Sequence, residues 1–487
     1  MPKKQFPSLI IYDDREWVAD GLSRYTGTRR YSSLHVRGRS ARASFVDALP
    51  DGARSQVVMI EPNSNLDTPE AALPGLRKDE GVLVVSARGA VVDPGLLAQV
   101  VQRLPFSDQI VVDRLHHPLF VYYPQGELLR ERWDLFRTAP LHAAPDAEPD
   151  ATVLTGQPVL MDIGELDNLL AYIAGATVAR SFNEVSFNDL IYRKRSTNKE
   201  KMRAEHDYYS LIPASMKPWM AGAFDYREEG ETAEYSMLRY HFADSAFQWV
   251  HNAWLPDQYE AFLSRILFFL SSRPARKASG SELEAAAEGL FLTKVEERWA
   301  KLLADPKGAA LINNIANTPG GDRVVGAYED YLTLARKRWK GLSAGHLTIG
   351  HGDPCLSNIL YDPATATMKL IDPRGATSED ELWTHPLYDY CKLSHSILGD
   401  YDFINTLTFD ISLDDEARHK LSLLRSTPPA FKREFERQVS RVEDLASIRL
   451  GEASLFLSML PLHLDHPRKV VAFLLRARQI LDDIAAG

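Results

Sequence analysis

Cysteine is nearly missing from this chain: Cys355 and Cys391 are the two in 487 residues. Two distant thiols cannot build a disulfide framework and have no metal-ligand spacing, so a reducing, cytoplasmic setting is expected. Long apolar runs are missing too. The most apolar stretch, Ile266-Leu267-Phe268-Phe269-Leu270, is too short to span a bilayer. Residues 1–7 carry charge, but no apolar core of a signal peptide follows them. No membrane span is therefore expected. There is no basic excess: 56 Lys and Arg against 66 Asp and Glu leave a net charge of −10, which disfavours loose binding to nucleic acid. No internal repeat is visible. No Gly-x-Gly-x-x-Gly loop is present to cradle a nucleotide's phosphates with backbone amides.

What remains is an ordinary globular composition, 45% hydrophobic and 25% charged. The length implies two or three domains. One stretch concentrates the chemistry. The β-prone run Leu347-Thr348-Ile349 leads into Gly350-His351-Gly352-Asp353, and Asn358 lies five residues beyond the aspartate. A second apolar run, Lys369-Leu370-Ile371, ends at Asp372, with Gly375 close behind. Phosphoryl transfer needs this spacing. A carboxylate, Asp353, must orient an acceptor hydroxyl and take its proton. Hard oxygen ligands, Asn358 and Asp372, must hold Mg²⁺ against the phosphates of ATP. The same residues also suit a solvated β-hairpin loop with an aspartate cap and a turn asparagine.

The His-x-Asp-x-x-x-x-Asn spacing followed by Ile-Asp resembles the aminoglycoside phosphotransferase and choline kinase superfamily. Ser357 to Asp362 and Ile371-Asp372-Pro373-Arg374-Gly375 look more narrowly like bacterial phosphotransferases found with capsule and surface-sugar genes. The resemblance covers roughly residues 175–485. It departs from protein kinases in having Asp-Pro-Arg-Gly instead of Asp-Phe-Gly and in lacking an Ala-Pro-Glu segment, which argues against a protein substrate. It implies an α+β bilobal protein-kinase-like domain, with a small β-rich lobe and a large helical lobe. His351 would support the catalytic loop, and Asp389, opening the next helix, would brace it through its amides. Arg374 either meets the acceptor or pairs with a nearby acid.

Before that domain, short apolar strands at 8–12, 56–60, 82–86, 110–112 and 120–123 alternate with helical stretches such as 94–104. They suggest an open α/β sheet over residues 1–137. This region weakly resembles sugar nucleotidyltransferases, in a form that has lost the phosphate-binding loop. Asp13-Asp14 at the first strand's end is either functional or a solvated pair. The Pro, Ala and acid-rich segment 138–158 reads as a linker, followed by a helix over 163–173.

The small lobe is expected over 159–256 and the large lobe over 257–487. Strands over 177–196 place Lys194 on one face with Leu190 and Tyr192, away from Arg193 and Arg195. Lys194 is the candidate for the α- and β-phosphates. Glu205, on a helix over 199–211, is its candidate partner. Residues 183–188 would cover the phosphates. A strand at 234–240 leads to a hinge where Arg239, Tyr240 and His241 would face the adenine. Leu263, Ile266, Leu267 and Leu270 recur at helical spacing, residues 273–281 read as a basic loop, and helices are expected over 282–304 and 323–340. The C-terminal region from 431 to 484 is helical, broken near Pro461. His463 and Asp465 there either line an acceptor pocket or belong to a simple helix connection.

The expectation is an ATP- and Mg²⁺-dependent kinase of a small hydroxylated acceptor, a sugar, amino sugar or amino alcohol destined for surface polysaccharide. The alternatives are a bifunctional kinase and nucleotidyltransferase, or a non-catalytic nucleotide-binding regulatory module.

Overall fold

A computed structural model of the chain divides into two compact units, Met1–Thr177 and Val178–Gly487. The structure describes residues 6–36, 39–114, 116–143, 151–154, 158–166, 168, 169, 172, 183–187 and 190–486, with the backbone alone at 24, 25 and 183–187.

The first unit is built on a six-stranded sheet in the order Val57–Ile60, Leu9–Asp13, Val82–Ser86, Phe120–Tyr123, Val111–Val112, Thr152–Val153. Leu9–Asp13 pairs in parallel with both of its neighbours. Every residue of Leu9–Asp13 and Val82–Ser86 is buried, as continuous apolar runs in a sheet covered on both faces should be. Phe120–Tyr123 then runs antiparallel to Val82–Ser86. The helix Pro94–Arg103 starts where Asp93 accepts a hydrogen bond from the Leu96 amide and Pro94 sets the first turn.

Two expectations about this unit need correction. The segment 138–158 is not a plain linker: Leu141–Ala143 forms a 3₁₀ turn and Thr152–Val153 joins the sheet edge in parallel with Val111–Val112. Leu160–Asp162, expected at the start of the small lobe, pairs instead with Gly89–Val91. Composition marks the Pro-rich stretch, but strands of two and three residues within and after it complete the sheets of the first unit. Residues 144–150 and 155–157 lie outside the described residues, as does much of the helix expected over 163–173. Nor are Asp13 and Asp14 solvated. Asp13 grips Arg15 through both oxygens at 2.7 Å and accepts from the Leu141 amide at 2.9 Å. Asp14 holds the Arg30 guanidinium at 2.7 Å and the Ser32 hydroxyl.

The second unit opens with a four-stranded antiparallel sheet in the order Asn183–Phe187, Ile191–Ser196, Thr232–Leu238, Ala223–Glu229. The helix Lys199–Leu211 begins where the Asn198 side chain accepts from the Lys201 amide, and buries Met202, Glu205 and Tyr208. Their spacing of three residues puts them on one face. Met202 packs with Ala221, Ala233, Tyr235 and Met237 against the sheet.

A helical body follows, including Pro256–Ser272, Lys294–Ala304, Ala327–Trp339, Tyr388–Ile397, Leu445–Met459 and Pro467–Ala486. Leu263, Ile266, Leu267 and Leu270 lie in its core, as their spacing predicts. The helix expected over 282–304 contains a π-helical turn, Glu288–Thr293, between Gly280–Ala287 and Lys294–Ala304. Residues 273–281 are not a loop. Ala275–Ala278 is a strand antiparallel to Gly345–Ile349. Its charged residues hid it, because an edge strand tolerates exposed Arg and Lys where a central strand does not. Leu445–His463 is long and apolar enough by composition to cross a bilayer, but 72% of it is buried within the fold.

Candidate active site

The strand Gly345–Ile349 delivers the chain to His351, which is fully buried. Asp389 organises the turn that follows. One of its oxygens accepts from the His351 amide at 2.8 Å, and the other from the Gly352 amide at 2.9 Å. The Arg273 guanidinium lies 2.6 Å from the same carboxylate, and both side chains are essentially inaccessible. A buried amide, a partly buried amide and a buried guanidinium thus share one anion, which satisfies each of them. The Tyr208 hydroxyl adds a bond to the Gly350 carbonyl at 2.9 Å. His351 itself stays neutral at pH 7, because burial holds its imidazole below the ordinary value against the pull of Asp389, Asp353 and Asp372.

Asp353 therefore projects from a loop fixed on both sides. Its side chain is 41% exposed, and Lys392 lies 2.9 Å from one oxygen. Burial raises its pKa, but the Lys392 ammonium outweighs burial and keeps the carboxyl below its usual range. Asn358 closes the loop: its amide nitrogen donates to the Asp353 carbonyl at 2.9 Å, which leaves the amide oxygen for another partner. The backbone bond from the Ile371 amide to the Asn358 carbonyl, at 3.0 Å, brings the second motif alongside. Asp372 sits there at φ 54°, a left-handed conformation that costs a non-glycine residue about 1 kcal/mol or more.

Lys194 completes the arrangement. It is buried in the strand Ile191–Ser196, with its ammonium 2.7 Å from Glu205 and 3.0 Å from Asp372. Tyr192 is half-buried, while Arg193 is exposed, in keeping with strand alternation. Glu205 is held in turn by the Tyr235 hydroxyl at 2.8 Å. Burial alone would lower the lysine pKa, but Asp372 and Glu205 raise it, so the ammonium stays charged. Gly375, at φ 89°, lets the 372–376 loop touch the Lys199–Leu211 helix: a Cβ there would meet the Ala204 carbonyl carbon at 2.6 Å. Beside it, the Ala376 amide donates to the Ala204 carbonyl at 3.0 Å.

The donor set suits Mg²⁺. The free oxygen of Asn358 and the carboxylate of Asp372 are hard ligands, and Mg²⁺ is commonly held by one or two protein groups, with phosphate and water completing its shell. Among the described residues no group of three His, Cys, Asp or Glu forms an all-protein cage.

The other expected residues are less closely tied together. Arg239, Tyr240 and His241 follow Thr232–Leu238 as irregular backbone, and the Arg239 amide donates to the Leu190 carbonyl at 2.8 Å. The Arg374 amide donates to the His351 carbonyl at 2.9 Å, and its side chain is exposed. His463 packs edge-on to Phe473 with centroids 5.2 Å apart. Asp465 is exposed and lies 3.6 Å from the neighbouring His466, with no described contact to the 351–358 loop. The side chains of 183–187 and all of 188 are outside the described residues.

Sequence reasoning missed Lys392, Arg273, Lys294 and Tyr388. Lys294 donates to the Tyr388 hydroxyl at 3.0 Å. A signal did exist for Lys392: it falls four residues after Tyr388, on the same face of the helix whose Asp389 was already of interest. Nothing local marks Arg273 or Lys294, whose partners are distant in sequence.

No protein-family description matches this chain, and no curated protein does. Among solved structures, it is similar to a thermostable mutant of aminoglycoside phosphotransferase APH(4)-Ia in its apo form, at 12% identity and a TM-score of 0.38, covering 63% of this chain and 96% of that one. A ternary complex of a mutant of that protein with ADP and hygromycin B gives 12% identity and a TM-score of 0.39, covering 63% and 95%. Aminoglycoside-3'-phosphotransferase of type VIII gives 12% identity and a TM-score of 0.30, covering 57% and 93%.

Proposed function

We propose that this chain is an ATP- and Mg²⁺-dependent phosphotransferase acting on a hydroxyl of a small molecule, with a protein-kinase-like second unit. One observation carries the reading. Lys194 meets Glu205, eleven residues on, at 2.7 Å and Asp372, far along the chain, at 3.0 Å, and the Asp353 to Asn358 loop is bonded to the chain leading into Asp372. A buried lysine held by a buried glutamate is a fixed cation for phosphate oxygens. Asn358 and Asp372 would hold Mg²⁺, which neutralises charge on the phosphates when bound.

Asp353 orients the acceptor hydroxyl. As the acceptor oxygen bonds to the γ-phosphorus, the bond to the ADP oxygen breaks and the hydroxyl proton passes to the Asp353 carboxylate. The low pKa of that carboxyl keeps it ionised at neutral pH and makes it a weak base. Its larger contribution is therefore orientation, which suits a loose transition state in which the proton leaves late. The irregular segment at Arg239, Tyr240 and His241 would meet the adenine through its backbone.

The acceptor belongs to the sugar, amino sugar and amino alcohol classes implied by the motif strings, and surface-polysaccharide assembly in the cytoplasm is the setting that fits them. The two free, buried thiols suit a reducing compartment. We propose no nucleotidyl transfer by the first unit, because Asp13 and Asp14 are sealed in ion pairs. The accessible, ionised Asp353 speaks against a purely regulatory module.

The test is ATP consumption against a panel of sugars, amino sugars and amino alcohols, with wild type and Asp353→Asn side by side. Acceptor-dependent turnover that falls by about 10²-fold or more in the variant supports the proposal. Equal turnover in both proteins overturns it.

A further inference from the structure

The surroundings of Asp353 carry more positive charge than one carboxylate can use. Tyr388, Lys392 and His395 stand at i, i+4 and i+7 on the helix Tyr388–Ile397, and so share a face. Lys392 is spent on Asp353, 2.9 Å away. Lys294 points to the same place from another helix. It follows the π-helical turn Glu288–Thr293, and such turns re-aim the residues beside them and recur at functional positions. Its ammonium meets only the Tyr388 hydroxyl, at 3.0 Å, and no carboxylate among the described residues.

Arg374 enters from the other side. Its side chain lies over Gly352, where a Cβ would come within 2.5 Å of the Arg374 Cβ. That glycine directly precedes Asp353. The guanidinium is exposed and has no acidic partner among the described residues. His395 is 1% exposed, packed by Tyr401 and Phe456, and neither ring nitrogen has a partner among the described residues.

Three cations thus gather around the Tyr388 phenol, and one of them, Lys392, holds Asp353. The phenol of Tyr388 registers the imbalance. Burial should raise its pKa, yet Lys392, Lys294 and Arg374 together take it below the ordinary value. Such a field attracts an anion and repels a polycation. The nucleotide's phosphates have their own lysine, Lys194, beside Asp372. Lys294 bonds the Tyr388 phenol one helical turn from Lys392, which holds Asp353, and Arg374 lies beside Gly352.

We infer that the acceptor bears an anionic group, carboxylate or phosphate, that seats against Lys294 and Arg374 while its hydroxyl meets Asp353. This rests on the kinase reading above and narrows its acceptor class to sugar acids, sugar phosphates and their hydroxylated relatives. A guanidinium and an ammonium with a phenol between them offer donors to either kind of anionic oxygen.

The test is calorimetric titration of the full chain saturated with AMP-PNP and Mg²⁺. The probes are glucuronate, inorganic phosphate, glucose and glucosamine. We expect glucuronate or phosphate to bind at least tenfold tighter than glucose and glucosamine, and the tighter of the two anions tells carboxylate from phosphate. Lys294→Met combined with Arg374→Gln should abolish the preference, and Lys294→Arg alone should keep it. Anion binding that survives the double substitution overturns the inference, as does equal or tighter binding of glucose or glucosamine, or no binding of either anion at tens of millimolar. The AMP-PNP titration reads the nucleotide site separately. Failure there sinks the kinase reading, while loss of anion preference with AMP-PNP bound sinks only the acceptor class.

Discussion

Asp389→Asn is the most informative perturbation of the loop, because one buried carboxylate serves three partners. An asparagine can accept from one loop amide. Its NH₂ then faces the second amide, donor against donor, and Arg273 keeps a buried charge with no counter-ion. Breaking a buried ion pair from one side costs about 3–5 kcal/mol, and an unsatisfied buried amide adds about 1–3 kcal/mol. Arg273→Met alone leaves Asp389 charged but still bonded to two amides, at about 2–4 kcal/mol. The combination Arg273→Met with Asp389→Asn removes both charges, so the amide mismatch, the Leu270 and Pro386 carbonyls that Arg273 served and imperfect packing remain, about 2–4 kcal/mol. The double substitution should therefore cost less than Asp389→Asn alone, with a coupling of about 3 kcal/mol or more. Urea unfolding followed by tryptophan fluorescence measures this. Trp219, Trp249, Trp254, Trp299, Trp339 and Trp383, six of the eight tryptophans, belong to the second unit. Additive effects would refute the argument that the carboxylate and guanidinium act as one buried unit.

Lys194→Met should weaken AMP-PNP binding about 10- to 100-fold, the loss of a charge-assisted bond to phosphate, and isothermal titration checks it. Unchanged affinity would remove Lys194 from the nucleotide site. Burial pushes Asp402 up to about 7 from 3.8, and one of its oxygens has no partner among the described residues. With the native pKa raised, the stabilisation is complete below pH 3.8 and is lost as pH rises through about 7. Across that window the loss is about 4 kcal/mol, so Asp402→Asn should flatten the fall in melting temperature between pH 5 and 8. A slope identical to wild type would count against it. Gly375→Ala places a methyl group against the Ala204 and Glu205 backbone. It should lower both stability and nucleotide affinity, and a variant with wild-type affinity would show that the loop and helix can separate freely.

The loop, its metal candidates and the lysine–glutamate pair were legible because each carries a local signature: fixed offsets for Asp353 and Asn358, strand alternation for Lys194, helix placement for Glu205. Asp389 was legible as a brace only through the family resemblance, which places an aspartate at the start of the helix that follows the second motif. Lys392 and Lys294 were not. Their roles depend on how helices distant in sequence come together, and a lone lysine in a helical pattern looks the same whether it faces water or Asp353. The strand Ala275–Ala278 was hidden for a related reason, since its charges fit an edge whose existence only the pairing with Gly345–Ile349 reveals. The first unit's extension past residue 137 was hidden because strands of two or three residues leave no periodicity to read.

The helix Lys199–Leu211 is fastened three times: through Glu205 to Lys194, through Ala204 to Ala376, and through Tyr208 to Gly350. Swinging it outward would break two backbone-linked hydrogen bonds and a buried ion pair together, about 5 kcal/mol in all. That leaves a displaced conformer populated on the order of once in several thousand molecules. The helix is therefore costly to displace from the place where Glu205 meets Lys194. The lysine–glutamate pair is held assembled by the fold itself, and a phosphate that binds there need not supply the energy of bringing the two together.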